Sequence, residues 1–289
     1  MNRDELLKRV RKIELASKGL SKDLYAGQYK TAFKGRGMSF SEVREYQYGD
    51  EIRAIDWNVT ARYDTPFIKV FEEERELTVM LLIDVSASFY YGKEHVSKIE
   101  KAIEFFATIA FSALANNDKI GAVFFTEEVE CYLPPKKGRE HVMLMLDKLI
   151  SFNPLGKGTS LGSPLRTLRQ TQKKRTISFL VSDFRDEGLN LDEVYFTKKY
   201  HDLIAVKIND SSEQTLSLPG FYQVINPETG QRQWLNGFST YFNRLFNKEY
   251  DTHHKTISES LKAKGIPLIP LSTDSDIIKP LTHFFKQRK

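Results

Sequence analysis

The chain has one cysteine, Cys131, in 289 residues. It can form no internal disulfide and offers no thiolate cluster for a metal, a composition that fits a reducing compartment. Long apolar runs are missing too. The longest weakly polar stretch, "FFATIAFSALA" (105–115), has charged flanks and is far shorter than the ~20 residues of a spanning helix, so it reads as a buried helix. The opening "MNRDELLKRVRKIELASK" is charged throughout and lacks an apolar core, so no signal peptide is expected. These absences lead us to expect a cytoplasmic protein without a membrane span.

Several catalytic signatures are absent. The histidines show no HExxH, and His253 and His254, being adjacent, point to different sides of a helix. "GKGTS" is not a phosphate loop: Gly158 follows Lys157, and Ser151 stands where the first glycine belongs. The stretch also misses the dinucleotide-binding spacing. Charge is not one-sided, since 43 Lys and Arg against 38 Asp and Glu leave +5, with both signs interleaved. A nucleic-acid partner would rest on the sequence pI of 9.0 and the tail "FFKQRK" alone, without a recognition motif. That tail reads as a solvated helix end, and no nucleic acid is expected as a partner.

What is present is a rhythm of buried strands and amphipathic helices. "LTVMLLI" (77–83), "KIGAVFFT" (119–126), "VECYLP", "TISFLVS" (176–182), "DLIAVKI" and "IPLIPL" read as strands, the last an edge strand because of its prolines. "SKIEKAIEFFATIAFSALANN" carries Ile99, Ile103, Phe106, Ala110 and Leu114 on one stripe. "GREHVMLMLDKLISF", "SPLRTLRQTQ", "LDEVYFTKKY" and residues 239–264 and 275–287 also read as helices, and the segment around "PETG" as a hairpin. Strands alternating with helices imply an α/β fold with a mostly parallel, doubly wound sheet. Residues 1–76 differ: a helix over 3–17 is followed by a Gly-, Tyr-, Arg- and Asp-rich region read as short strands and turns. The expected division is therefore an N-terminal module, 1–76, and a sheet domain, 77–289.

In such sheets, ligands bind beyond the carboxyl ends of the strands. "VMLLIDVSASF" places Asp84, Ser86 and Ser88 there, "ISFLVSD" places Asp183, and the glycine-flanked "GKGTSLGSPL" supplies Thr159 before a helix. Two carboxylates and three hydroxyls suit a hard divalent cation, Mg²⁺ or Mn²⁺, which takes oxygen ligands and usually keeps several waters. Neutral hydroxyls would leave such an ion seeking one more anionic ligand, which an Asp or Glu of a partner would supply. Asp and Ser also favour helix N-caps and turns, so "DVSAS" alone would equally begin a helix. Both carboxylates are expected at strand ends outside the packed core.

This constellation resembles the metal-ion-dependent adhesion site of von Willebrand factor A domains. The resemblance implies a Rossmann-type doubly wound sheet, with Asp84, Ser86 and Ser88 as the first ligand loop, Thr159 the second and Asp183 the third. Many of those domains read "TDG" where this chain has "SDF", so Phe184 replaces a glycine. The stretch "FKGRGMSFSEVREYQYGDEIRAIDWNVTARYDTPFIKVFEEEREL", the "PETG" hairpin and "HFFKQR" are similar to a bacterial family, domain of unknown function 58. That resemblance implies an adaptor or accessory factor of a MoxR-type AAA+ ATPase, with that ATPase or other von Willebrand factor A-like proteins as partners. In the same stretch, Arg53, Asp56, Trp57 and Arg62 read either as part of a set of Arg–Asp pairs pinning a cap or as a partner-binding surface. The expected function is non-catalytic, metal-dependent protein binding. The alternatives are Mg²⁺-dependent phosphoryl transfer through Asp84, for which no lysine or histidine is evident at the other strand ends, and basic nucleic-acid binding.

Overall fold

The structure is a computed structural model that describes residues 39–63, 65–72, 77–90, 97–185, 191–210, 220–225, 232–236 and 255–287, with single positions at 230, 238 and 252. The helix expected over 3–17 lies outside the described residues. Of the helix expected over 239–264, position 252 and residues 255–264 are described; 252 and 255–263 are helical and 264 lies in a turn.

The apolar runs become strands β3 (Thr78–Asp84), β6 (Ile177–Ser182) and β7 (Asp202–Asn209), buried along nearly their whole length. With β4 (Lys119–Phe125), β5 (Val129–Lys136) and β10 (Leu268–Ser272) they form a six-stranded sheet in the order β10-β7-β6-β3-β4-β5. All neighbours are parallel except β5, which runs antiparallel to β4. Counted from β3 along this sheet, the order is that of the doubly wound 3-2-1-4-5-6 sheet, and it reverses between β3 and β6. The pleat sends alternate side chains to opposite faces. Val79, Leu81 and Ile83 pack with α2 (Lys98–Ala115), α3 (Arg139–Ile150) and α6 (Ile278–Gln287). Met80 and Leu82 pack with α4 (Gly162–Thr171), α5 (Leu191–Tyr200) and the helical residues 255–263. Both faces are thus covered, which is why these strands read as continuous apolar runs rather than alternating ones.

α2 begins with a capping box: Ser97 Oγ accepts the Glu100 N–H and the Glu100 carboxylate accepts the Ser97 N–H. The stripe expected on this helix faces the core, but Phe105 and Phe111 are buried beside it, so the helix is enclosed on most of its circumference. No helix among the described residues is long and apolar enough to cross a membrane.

Before the sheet, β1 (Ser39–Glu45) and β2 (Phe67–Glu72) pair antiparallel in a sheet of their own. Between them lies α1 (Trp57–Tyr63), where the sequence reading expected strands and turns. The cause is Asp56, whose Oδ1 accepts the N–H groups of Asn58 at 3.0 Å and Val59 at 3.3 Å and so caps the helix. β8 (Phe221–Ile225) and β9 (Arg232–Asn236) pair antiparallel, as the hairpin reading requires; residues 226–229 between them lie outside the described ones.

Candidate metal centre

The strand order reverses between β3 and β6, and the carboxyl ends of strands at such a reversal are the usual ligand position in this architecture. Asp84 ends β3 and Ser182 ends β6 on the facing register. The Ser182 hydroxyl donates to Asp84 Oδ2 at 2.7 Å and accepts the Phe184 N–H at 3.0 Å. Asp84 Oδ1 accepts the Ser86 N–H at 2.9 Å, which turns the chain so that the Ser86 and Ser88 hydroxyls lie 3.0 Å apart. The neighbouring Asp183 binds the Lys98 ammonium through Oδ2 at 2.8 Å and accepts the Arg185 N–H through Oδ1 at 3.3 Å.

Asp84, Asp183 and Lys98 are 0%, 2% and 0% exposed. The expectation that the two carboxylates stand outside the packed core is therefore wrong: both side chains are enclosed by the folded chain. Burial is the main cause that pushes the Asp84 carboxyl up to about 7, and the charge of nearby Asp183 adds to it, against the hydrogen bonds from Ser86 and Ser182. Burial acts the same way on Asp183, but the Lys98 ammonium outweighs it and holds that carboxyl below the usual range. Two buried carboxylates thus lie within electrostatic reach, one neutralised by a lysine and the other resisting ionisation.

Thr159 sits half-buried in the loop between α3 and α4. That loop is laid over the ends of β3 and β4 by two backbone bonds: Ala87 N–H donates to Lys157 O at 3.0 Å and Ser160 N–H to Thr126 O at 2.9 Å. Two glutamates of the β4–β5 hairpin fasten it further. Glu130 accepts the N–H groups of Leu155 at 2.8 Å and Gly156 at 2.9 Å, and Glu127 that of Gly158 at 3.0 Å. A Cβ on Gly156 would run into the Thr126 side chain, and one on Gly158 into Glu127. The glycines of "GKGTS" therefore serve close approach of loop to hairpin. Truncating Glu130 to alanine leaves two amides without their acceptor and is expected to cost about 1–3 kcal/mol. Amide exchange at Leu155 and Gly156 should speed up markedly; unchanged exchange at both would remove Glu130 as the anchor.

Phe184 shows how the third loop keeps its shape without glycine. Its φ is +57°, the left-handed region in which a bulky residue is uncommon. Its side chain is fully buried among Leu165, Val194 and their neighbours. Truncation of a buried Phe costs about 3–5 kcal/mol, against roughly 1–3 kcal/mol for the strained backbone, so packing wins.

Three contributors escaped the sequence reading. Lys98 was hidden because an apolar-stripe count ignores a lysine, although a cation at a helix N-terminus opposes the helix dipole and is itself a signal. Ser182 was absorbed into a buried strand. Glu130 lies outside every motif. The N-terminal candidates differ in burial: Trp57, Arg53 and Arg62 are exposed, while Asp56 caps α1 and pairs with Lys69 at 3.4 Å. The one bidentate Arg–Asp pair of this region among the described residues joins Arg44 to Asp50 at 2.8 Å.

The chain is 25% identical to the uncharacterized protein Rv1480 of Mycobacterium tuberculosis over 282 residues, which cover 97% of this chain and 89% of that protein. It is 30% identical to the uncharacterized protein YeaD of Bacillus subtilis over 109 residues, 38% of this chain and 25% of that one. Among solved structures, the conserved hypothetical protein BatB from Bacteroides thetaiotaomicron superposes with a TM-score of 0.45 at 15% identity, over 73% of this chain and 98% of its own. Residues 42–256 match the family described as protein of unknown function DUF58, and the chain belongs to that family.

Proposed function

We propose that the carboxyl edge of the sheet binds a divalent cation and, through it, an acidic side chain of a protein partner, without catalysis of its own. The observation that carries this reading is the burial of Asp84 and Asp183 within electrostatic reach of each other at the switch point, beside the paired hydroxyls of Ser86 and Ser88. The donor set fits the ion: it is all oxygen, which suits Mg²⁺ or Mn²⁺ over softer metals. Among the described residues no group of three or more His, Cys, Asp and Glu side chains is placed to hold a metal. An ion here would therefore rely on Asp84, on the hydroxyls of Ser86, Ser88 and Thr159, and on water, with Asp183 behind them. A bound ion would supply a positive centre for an external carboxylate.

Family membership, together with the resemblance of its motifs, supports the role of adaptor or accessory factor of a MoxR-type AAA+ ATPase. Leu155, 93% exposed on the Thr159 loop, offers apolar contact beside the ion, and exposed Trp57, Arg53 and Arg62 offer a second surface. Co-purification of the ATPase with the tagged chain should be lost in chelator and restored by Mg²⁺. Capture that ignores chelator would move the binding surface away from this edge.

Phosphoryl transfer is the second reading, and one observation favours it. Lys98, paired with Asp183, supplies a cation at this edge that the sequence reading did not find. Against it, both Asp84 oxygens accept hydrogen bonds and the side chain is fully buried, while Ser86 stands where a second carboxylate would act as acid or base. Purified protein with Mg²⁺ is expected to leave a generic phosphomonoester intact; turnover that disappears in Asp84→Asn would establish the enzyme instead.

A further inference from the structure

Lys98 occupies an unfavourable place. It is the first residue of α2, where the helix dipole and the unsatisfied N–H groups repel a cation. Its side chain is wholly enclosed, and a buried ammonium persists only against a matched anion. The capping box at Ser97 and Glu100 fixes the helix start, so the ammonium is delivered to Asp183 by rigid structure. We propose that Lys98 is a tethered counter-cation that keeps the divalent-ion affinity of this edge low, so that stable ion capture requires the additional carboxylate of a partner. The inference rests on the metal reading above.

Charge arithmetic carries the argument. With both ionised, as a bound cation would favour, Asp84 and Asp183 offer a divalent ion two negative charges, and Lys98 cancels one of them. A second cation placed near Asp183 also meets the ammonium across a short, poorly screened distance. An incoming carboxylate restores the missing charge. Ion and acidic partner would therefore bind weakly apart and tightly together, which makes the edge a detector of both.

The test measures Mn²⁺ binding to the full chain by the loss of free-ion paramagnetic signal, in wild type and in Lys98→Met, which keeps length without charge. The variant is expected to bind Mn²⁺ tighter by about tenfold or more, the lower end of what neighbours of a metal site commonly contribute. Its melting temperature should also rise more steeply with Mn²⁺ than that of wild type, because the ion takes over the charge balance of Asp183. Equal or weaker binding by a folded Lys98→Met overturns the role of Lys98 and leaves the metal reading standing if wild type binds. A variant that stays unfolded at millimolar Mn²⁺ overturns it as well, since the ion then cannot replace the ammonium. Absence of Mn²⁺ binding in both proteins defeats the metal reading itself.

Discussion

Replacing Asp183 by alanine should destabilise the protein by about 3–5 kcal/mol, the usual cost of breaking a buried ion pair by removing one partner. The Lys98 ammonium would remain enclosed at the start of α2 with its 2.8 Å acceptor gone. This reverses what the sequence suggests, which is that a carboxylate at a strand end can be removed without harm to the fold. Urea unfolding measures the change directly. A loss below about 1 kcal/mol with an unchanged denaturant slope would mean that the ammonium finds another acceptor. Lost partner binding in this variant would therefore be ambiguous between ion and fold, and Asp84 is the better probe of the ion.

Asp84→Asn should give the opposite result in the absence of metal. The folded carboxyl titrates at about 7, against about 3.9 for an unperturbed aspartate. A group whose folded pKa is raised contributes stability below its unfolded pKa and loses it as pH rises through the folded pKa. Between roughly pH 4 and 7, wild type is thus expected to lose up to about 1.4 kcal/mol per unit relative to the asparagine variant. The comparison must be a difference between the two proteins. Buried His201, held down at about 4 by burial and by Arg169 and Arg175, imposes the contrary slope from about 4 to 6.5, and it cancels when one protein is subtracted from the other. Mg²⁺ should invert the order at pH 8, because the ion stabilises the ionised carboxylate while the variant loses affinity by at least about 10–100-fold. Melts at pH 5 and pH 8, with and without Mg²⁺, contain the whole prediction. A variant that is no more stable than wild type at pH 8 without metal would show that Asp84 ionises freely.

The sheet was legible because its central strands are buried on both faces: an uninterrupted run such as "VMLLI" has few other uses, and the aspartate that ends it marks the carboxyl edge. The same local logic located Asp183. What could not be read locally depends on distant chain. The meaning of Lys98 comes from a residue 85 positions away, and that of Glu130 from a loop 25 and 26 positions on. The burial of both carboxylates is a property of the assembled chain that no local periodicity describes. Helix α1 is the exception: Asp56 stands directly before it, a local N-cap signal set among many other charges. At Phe184 the departure from glycine was visible, but its resolution needed the hydrophobic pocket that holds the ring.

The partnership of Asp84 with Ser182 spans 98 residues, and on a growing chain that separation is also time. At about 5–20 residues per second, roughly 5–20 s pass between the emergence of the aspartate and that of its hydroxyl donor. Through that interval the carboxylate belongs to an unclosed strand end, wet and ionised. When β6 arrives and seals the switch point, burial raises its proton affinity about a thousandfold, from near 4 to about 7. Closing the central strand pair therefore raises the carboxyl's hold on a proton, at a moment set by the order in which the ribosome delivers the two halves of the sheet.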